Sequence, residues 1–333
     1  MKDILTIQDL YQGLVEGDRM VLARAITLIE STRAQDQQKR NELLRAVLPH
    51  TGRAMRLGIT GVPGVGKSTF IEAFGLMITA QHKKVAVLTI DPSSQVTKGS
   101  ILGDKTRMPA LAKHELAFIR PTPSGTSIGG VAARTRESIL LCEAAGFDVV
   151  IVETVGVGQS EVAVRNMVDF FLLLMLAGAG DELQGIKKGI IEMADAIAIT
   201  KADGDNARNA TAAQLEYQHA LHLLPGNDSW WKTPVLTCSA VTGQGIEEIW
   251  NTVRDYESRA RSSGHLAASR EEQLVHWLKE SFESLILDDL ARHQDLARTR
   301  SILEARVRNY HMPVSEAASE LLAAYHKAIR GEG

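Results

Sequence analysis

The chain has 333 residues, of which 44% are hydrophobic and 23% are charged, so its length allows one large domain with extensions or two domains. Its formal net charge of −3 gives no indication of a nucleic-acid or membrane-surface partner. The two cysteines, Cys142 and Cys238, lie far apart and form no CxxC pair, which argues against a disulfide framework. We expect a cytoplasmic protein, because the N-terminal sequence MKDILTIQDL lacks the uninterrupted apolar segment of a signal peptide.

The first 50 residues have a helical pattern. Leu22, Ile26 and Ile29 recur at helical spacing, and Asp18 before them is a residue type favoured at an N-cap. We predict an N-terminal helical extension over residues 1–50.

Between residues 51 and 262, short apolar segments alternate with helical ones. The segments predicted as strands are 56–60, 85–90, 117–120, 148–153, 170–177, 195–200 and 234–238. This alternation predicts an α/β fold with a doubly wound, mainly parallel sheet, whose active residues lie at the carboxyl ends of the strands. The longest apolar segment, 170–177, is too short to cross a bilayer and is typical of a buried parallel strand.

A phosphate-binding motif follows the first predicted strand. Residues 58–70 read GITGVPGVGKSTF and contain G-x-x-x-x-G-K-S between a strand and a helix. Glycines let backbone N–H groups turn towards phosphate oxygens, the helix adds the positive end of its dipole, and Ser68 can ligate Mg²⁺. Lys67 can lie against the outer phosphates and is a candidate catalytic residue. The residues predicted to bind here are Gly61, Val62, Pro63, Gly64, Val65, Gly66, Lys67, Ser68 and Thr69.

Two further strand ends carry acidic residues. Asp91 in VAVLTIDPSS and Glu153 in DVVIVETVGVGQSE are placed to hold Mg²⁺, directly or through water. Gly156 can offer its N–H group to a γ-phosphate, and Gln159 can orient a water molecule. A turn-forming Asp-Pro pair and a solvated loop glutamine are the open alternatives for Asp91 and Gln159.

The stretch AIAITKADGD predicts the choice of base. The Asp203 carboxylate can accept from N1–H and the 2-amino group of guanine, which adenine lacks, and such charged hydrogen bonds contribute about 1.5–3 kcal/mol each. The stem of Lys201 can lie over the base. Further on, Cys238, Ser239 and Ala240 at the end of LTCSA can offer backbone N–H groups to guanine O6, and Ser239, Ala240 and Val241 are predicted to bind the nucleotide.

The C-terminal region is again helical. Residues 261–273, RSSGHLAASREEQ, are predicted as a linker, and Pro313 as a break before a last helix. Leu274, Leu278, Phe282 and Leu285 fall on one helix face. This face either packs within the chain or pairs with another subunit, and we favour the second interpretation for residues 263–333.

Several of these stretches together resemble a known family. GVPGVGKST, DPSS, KGSILGDKTRM, AFIRPTPSGTSIGGVAARTRE, LLCEAAGFDVVIVETVGVGQSE, GAGDELQGIKKGI and TKADGDN are similar to the P-loop GTPase chaperones of methylmalonyl-CoA mutase, the MeaB or ArgK type. The resemblance, over almost the whole chain, implies a slow GTPase that binds GTP, GDP and Mg²⁺ and is a homodimer through its C-terminal helices. It also implies a partner, the adenosylcobalamin-dependent methylmalonyl-CoA mutase, whose cofactor loading the GTPase gates and which it protects or reactivates.

The resemblance also implies roles for individual residues. Metal binding carries over onto Ser68, Asp91, Asp104 and Glu153. The loop 179–188 resembles a switch that couples the nucleotide state to the partner, and Lys187 or Lys188 there can offset transition-state charge. One position departs from the family, because Thr200 stands where the guanine motif usually begins with Asn. We expect the GTP preference to survive with an affinity lower by about 1 kcal/mol, the contribution of one neutral hydrogen bond.

Three other functions stay open. A GTPase for metal insertion would need Cys or His clusters, whereas the ten histidines are scattered. A kinase of the transport type would need an acceptor site with a base, which no stretch marks. A nucleotide-binding switch with negligible turnover differs from the main interpretation only in its rate.

Overall fold

The computed structural model describes residues 5–31, 33–90, 107–122, 128–154, 160–178, 188–222 and 230–330. The strands are β1 (Met55–Gly61), β2 (Val85–Ile90), β3 (Ala117–Thr122), β4 (Val149–Thr154), β5 (Phe170–Leu176), β6 (Ala196–Thr200) and β7 (Val235–Thr237). The helices are α1 (Ile7–Val15), α2 (Arg19–Glu30), α3 (Ala34–Val47), α4 (Lys67–Thr79), α5 (Pro109–Lys113), α6 (Ile128–Ala144), α7 (Ser160–Arg165), α8 (Lys188–Met193), α9 (Ala207–His222), α10 (Ile246–Ser262), α11 (His265–Arg292), α12 (Gln294–Arg308) and α13 (Val314–Arg330). Short 3₁₀ turns span Leu48–His50 and Gly204–Asn206.

The described strands form one sheet in the order β3-β2-β4-β1-β5-β6-β7, and every pair is parallel. The predicted α/β class is therefore confirmed, and each predicted strand is present to within two residues. Strands β2 and β4 are buried along their whole length, as expected of a parallel sheet covered by helices on both faces. Strand β1 lies at the centre, between β4 and β5, so three carboxyl ends meet beside the phosphate motif.

The N-terminal helices pack into the same core as the sheet. Asp18 caps α2, since its side chain accepts from the N–H groups of Met20 and Val21, as predicted. The face of α2 that carries Leu22, Ile26 and Ile29 is fully buried, and α2 contacts α6.

The chain divides into two compact units, Met1–Leu274 and Val275–Gly333. The first unit holds both the N-terminal helices and the sheet, and it extends into the first part of α11. The three regions predicted from the sequence, 1–50, 51–262 and 263–333, stay a prediction. In the second unit, α12 and α13 pack around Leu303, Met312 and Ala317. The predicted break at Pro313 is confirmed, because α12 ends at Arg308 and α13 begins at Val314.

The linker predicted over residues 261–273 is wrong. Helix α10 continues to Ser262 and α11 begins at His265. The Arg270 guanidinium forms an ion pair with the buried Asp169 carboxylate at 2.6 Å and donates to the carbonyl oxygens of Gly52 and Ala54 at 2.6 and 2.7 Å. These contacts fasten the start of α11 to the amino ends of β1 and β5. In the described ranges, no helix is long and apolar enough to cross a membrane.

Candidate functional site

The phosphate motif forms the turn between β1 and α4. Gly61 has φ of +156°, and a Cβ atom there would lie 2.5 Å from the Leu174 carbonyl oxygen of β5. Gly66 has φ of +90° and is the N-cap of α4. The loop therefore needs glycine at both positions, at Gly61 for space and at Gly66 for its left-handed backbone. The predicted strand-loop-helix arrangement is present.

Lys67 folds over this loop. Its Nζ donates to the carbonyl oxygens of Gly61 at 2.7 Å and Val62 at 3.3 Å. Burial lowers the pKa of the ammonium below its ordinary value, while the nearby carboxylates of Glu153 and Glu161 oppose that shift. A partly desolvated cation interacts strongly with any anion that enters the loop.

An acidic side chain faces the loop from β4. The hydroxyl of Ser68 donates to Glu153 Oε1 at 3.4 Å, and Glu153 is buried. Both side chains line a cavity of about 470 Å³ together with Lys67 and Arg107. We call it the phosphate-side cavity; its lining is Pro63, Gly64, Gly66, Lys67, Ser68, Thr69, Arg107 and Glu153. A hydroxyl and a carboxylate so placed are oxygen donors of the kind that Mg²⁺ takes, so these two residues fit the metal role.

A second cavity, of about 410 Å³, shares Gly66 and Thr69 with the phosphate-side cavity. We call it the base-side cavity; its lining is Val65, Gly66, Thr69, Phe70, Thr200, Lys201, Asp203, Asn206, Cys238, Ser239, Ala240 and Val241. All residues predicted to surround the base are among them. Because Gly66 and Thr69 line both cavities, the two form the two ends of one site.

Thr200 and Lys201 join the base side to the phosphate loop. The buried Thr200 hydroxyl lies 2.8 Å from the Val65 carbonyl oxygen and 3.2 Å from that of Met175, so it shares its proton between the loop and β5. Lys201 Nζ donates to the Gly64 carbonyl oxygen at 2.9 Å. A threonine hydroxyl is thus long enough to reach the loop from this position.

The loop after β7 is held by its own backbone. The N–H of Ser239 donates to the Gln244 carbonyl oxygen at 2.9 Å, so the predicted donation to guanine O6 falls to Ala240. The N–H of Cys238 donates to Ile199, and that of Ala202 donates back to Cys238, at 2.8 and 3.0 Å. These two bonds bring the ends of β6 and β7 together.

Asn206 and Arg107 line the site without having been assigned a role from the sequence. Asn206 belongs to the motif TKADGDN and Arg107 to KGSILGDKTRM. The sequence therefore showed the two motifs, but it did not show that the fold brings these two side chains to the site. Cys238 is a buried free thiol whose pKa is raised by burial to about 12.

Some predicted residues fall outside the described part of the chain. They are Asp91, Asp104, Gly156, Gln159 and Lys187, residues 179–187 of the predicted switch loop, and the side chain of Lys188, whose backbone begins α8. Their roles stay predictions. Among the residues that the structure does describe, no group of three His, Cys, Asp or Glu side chains is arranged to hold a metal ion.

Comparison with known proteins gives a consistent result. The family model described as "Methylmalonyl Co-A mutase-associated GTPase MeaB" matches residues 22–295. The chain is 51% identical over 293 residues to "GTPase ArgK" of Escherichia coli (strain K12), covering 88% of each protein. It is 44% identical over 329 residues to "Methylmalonic aciduria type A homolog, mitochondrial" of Mus musculus, covering 96% of this chain and 79% of the mouse protein. A solved structure described as "Crystal structure of LAO/AO transport system kinase" superposes with a TM-score of 0.78 at 41% identity, covering 98% of this chain and 99% of the other.

Proposed function

Because this chain belongs to the methylmalonyl-CoA mutase-associated GTPase family MeaB, we propose that it is a GTP-driven switch for an adenosylcobalamin-dependent methylmalonyl-CoA mutase. The chain is a P-loop GTPase, which converts GTP to GDP and phosphate. The observation that carries the proposal is the single site with a phosphate-side and a base-side cavity that meet at Gly66 and Thr69.

The phosphate-side cavity supplies positive charge where phosphates bind. The backbone N–H groups at the start of α4 and the Lys67 ammonium would contact the β- and γ-phosphates. Ser68 and Glu153 would hold Mg²⁺, together with Asp91 and Asp104 in the proposal, and the metal would neutralise charge on the outer phosphate oxygens. In this structure Lys67 donates to loop carbonyls, and we expect it to exchange these bonds for phosphate oxygens.

Three residues complete the proposed chemistry of hydrolysis. Gln159 orients the attacking water, and the N–H of Gly156 contacts the γ-phosphate. Lys188 offsets charge that develops in the transition state. In the chain, Gly156 and Gln159 come shortly after β4, which carries Glu153 at the phosphate-side cavity, and Lys188 is the first residue of α8.

The base-side cavity supports a preference for guanine. Asp203 lines the cavity with Lys201 and the loop after β7, which supports its proposed role as the acceptor of hydrogen bonds from the base. Adenine has no donors at the corresponding positions, so the same carboxylate disfavours ATP.

We further propose that the loop 179–188 couples the nucleotide to the mutase. Strand β5 pairs with β1, and Gly61 lies opposite Leu174. The chain leaves β5 at Leu176, so the loop departs from the strand that abuts the phosphate motif. Loss of the γ-phosphate can therefore alter this loop, through which the GTPase gates cofactor loading and protects or reactivates the mutase.

A homodimer through the C-terminal helices is part of the same proposal. Leu278, Phe282 and Leu285 follow one another along α11 with exposed fractions of 71%, 62% and 58%. An exposed apolar stripe of this kind is typical of a helix–helix interface. We expect Phe282→Glu to produce monomers in light scattering, while Lys279→Glu on the same helix leaves the dimer intact.

The experiment that tests the proposal is a turnover assay of the purified chain, alone and with methylmalonyl-CoA mutase, with ATP in parallel. We expect turnover with GTP only and a higher rate with the mutase. The same rate with and without mutase would remove the partner and leave the GTPase. Transfer of radiolabelled phosphate to a protein acceptor would instead favour a kinase, the activity after which the similar solved structure is named.

A further inference from the structure

We propose that Asn206 is a positioning residue for base recognition, which holds the turn that presents Asp203 to guanine. The inference rests on the proposed role of Asp203 as the reader of the base. It adds a residue from outside the T-K-A-D stretch on which that role was predicted.

Asn206 closes the turn at both ends. Its side-chain Nδ2 donates to the Lys201 carbonyl oxygen at 2.8 Å, and its backbone N–H donates to the Asp203 carbonyl oxygen at 3.1 Å. Asn206 therefore binds the carbonyl groups of both Lys201 and Asp203. Asn206 also lines the base-side cavity next to Asp203.

The turn needs such a tie because its first residue is strained. Lys201 has φ of +56°, a left-handed conformation that is unfavourable for a residue with a Cβ atom. The same residue sends its side chain to Gly64 in the phosphate loop at 2.9 Å. A donor on the Lys201 carbonyl oxygen favours the strained backbone and thereby the placement of Asp203 two residues later.

Thr200 does not provide this tie. Its hydroxyl is engaged with the carbonyl oxygens of Val65 and Met175. Thr200 thus connects the base side to the phosphate loop, whereas the amide that organises the turn comes from Asn206. The Asn206 Oδ1 atom accepts from Asn209 at 3.4 Å, which is consistent with Nδ2 facing Lys201.

Removal of the Asn206 side chain should weaken nucleotide binding mainly at the part of the base that Asp203 contacts. Guanine offers Asp203 two donors, N1–H and the 2-amino group, whereas hypoxanthine offers only N1–H. A misplaced carboxylate therefore costs more affinity for GDP than for IDP. The phosphate-side cavity is untouched, so KM should rise while kcat at saturating GTP is retained.

The test is competition of GDP and IDP against a fluorescent GDP analogue, on the full chain with Asn206→Ala. We expect about a tenfold loss of GDP affinity and a loss of about threefold or less for IDP, since the charged contacts of Asp203 are the strong ones. Asn206→Leu, which approximates the volume but has no donor, should behave alike and serves if the alanine variant fails to fold. Thr211→Ala, which loses only an exposed hydroxyl bond to the Ala207 carbonyl oxygen within α9, is the matched control and should keep the wild-type ratio.

Equal losses for GDP and IDP, or no loss, would overturn the inference. Asp203→Asn separates this failure from that of the proposed base reader, because an amide can donate to the C2 carbonyl of xanthine. A shift of Asp203→Asn from GDP to XDP, with a neutral Asn206→Ala, leaves Asp203 as the reader and removes only the role of Asn206. Without such a shift, both proposals fail.

Discussion

The two ends of the site are built in different ways. Six of the eight residues that line the phosphate side come from one continuous stretch, residues 63–69, whose backbone and lysine are the groups proposed to bind phosphate. The base side is assembled from three stretches, 65–70, 200–206 and 238–241, and α9 and β7 lie between the last two in sequence. The phosphate-side cavity is thus formed mainly by local sequence, whereas the base-side cavity depends on hydrogen bonds between distant segments.

The largest effect is expected at the phosphate end, from Lys67→Ala. The variant loses the cation that is desolvated inside the loop, and GTP turnover should fall by about 100-fold or more, as for loss of one preorganised electrostatic group. The measurement is phosphate release at saturating GTP. Lys113→Ala, at an exposed lysine in the last turn of α5, should retain full turnover. A modest loss would mean that the loop backbone alone carries the phosphate chemistry.

At the base end, the largest effect is expected from Gly245→Ala. Gly243 and Gly245 have nearly the same φ, +79° and +75°, but a Cβ atom on Gly245 would lie 2.1 Å from the Thr237 carbonyl oxygen, whereas one on Gly243 would have no heavy atom within 4 Å. Both substitutions introduce a left-handed alanine, at a cost of about 1–2 kcal/mol. The clash at Gly245 should lower the free energy of unfolding by at least about 2 kcal/mol more.

Urea unfolding of the two glycine variants, with and without GDP, measures that difference. Because the backbone strain is common to both variants, the comparison isolates the clash. Equal destabilisation would show that the loop after β7 can move away from β7, and that the base side is less tightly held than its hydrogen bonds indicate.

The contrast between the two ends also explains what could be predicted from the sequence. The phosphate loop and the strands were predictable because their signals are local, a glycine pattern and runs of buried residues. Asn206 was not assigned a role because its function is a hydrogen bond to the Lys201 carbonyl, which no periodicity reveals. Arg107 was missed for a similar reason, because only the fold brings it beside Lys67 and Glu153.

The predicted linker shows how tertiary contacts override composition. The residues Ser-Ser-Gly predicted an interruption of the helical structure, and the interruption is confined to residues 263 and 264. Helix α11 continues through the rest of the stretch because Arg270 meets Asp169 and Gln273 donates to the Val168 carbonyl oxygen at 2.8 Å. Roles proposed for Asp91, Asp104, Gly156 and Gln159 stay predictions from the motifs alone.

The link between the two ends is tested by Thr200→Val. The variant removes the hydroxyl that connects β6 to the phosphate loop and leaves the Val65 carbonyl oxygen without this donor, which should lower GTP affinity and stability by about 1–2 kcal/mol. Titration with GTP and thermal unfolding measure the two quantities. Thr252→Val, which loses only a hydroxyl bond within α10, should change neither by more than about 0.5 kcal/mol.

Thr200→Asn tests the same link between the two ends by introducing the residue with which the guanine motif usually begins. If threonine weakens the guanine motif relative to asparagine, the variant should bind GTP more tightly by about 1 kcal/mol. Unchanged affinity would mean that the Thr200 hydroxyl, with its 2.8 Å contact to the loop, already provides what asparagine would.

The smallest expected effect is a pH dependence at the base end. Burial raises the pKa of the Cys238 thiol from 9.0 to about 12, so the folded protein retains this proton at pH values where the unfolded chain has lost it. The folded state therefore binds more protons above pH 9.0, and its stability falls as the pH rises from there towards 12. Between about pH 7.5 and 9.5 this thiol should lower the free energy of unfolding by about 0.8 kcal/mol. Cys238→Ala should lose that part of the decline, while contributions from Cys142 and Tyr256, whose pKa values burial also raises, remain in both proteins and cancel in the comparison. An identical decline in both proteins would mean that the thiol is solvated, and that the base-side cavity is more open at β7 than the buried Cys238 indicates.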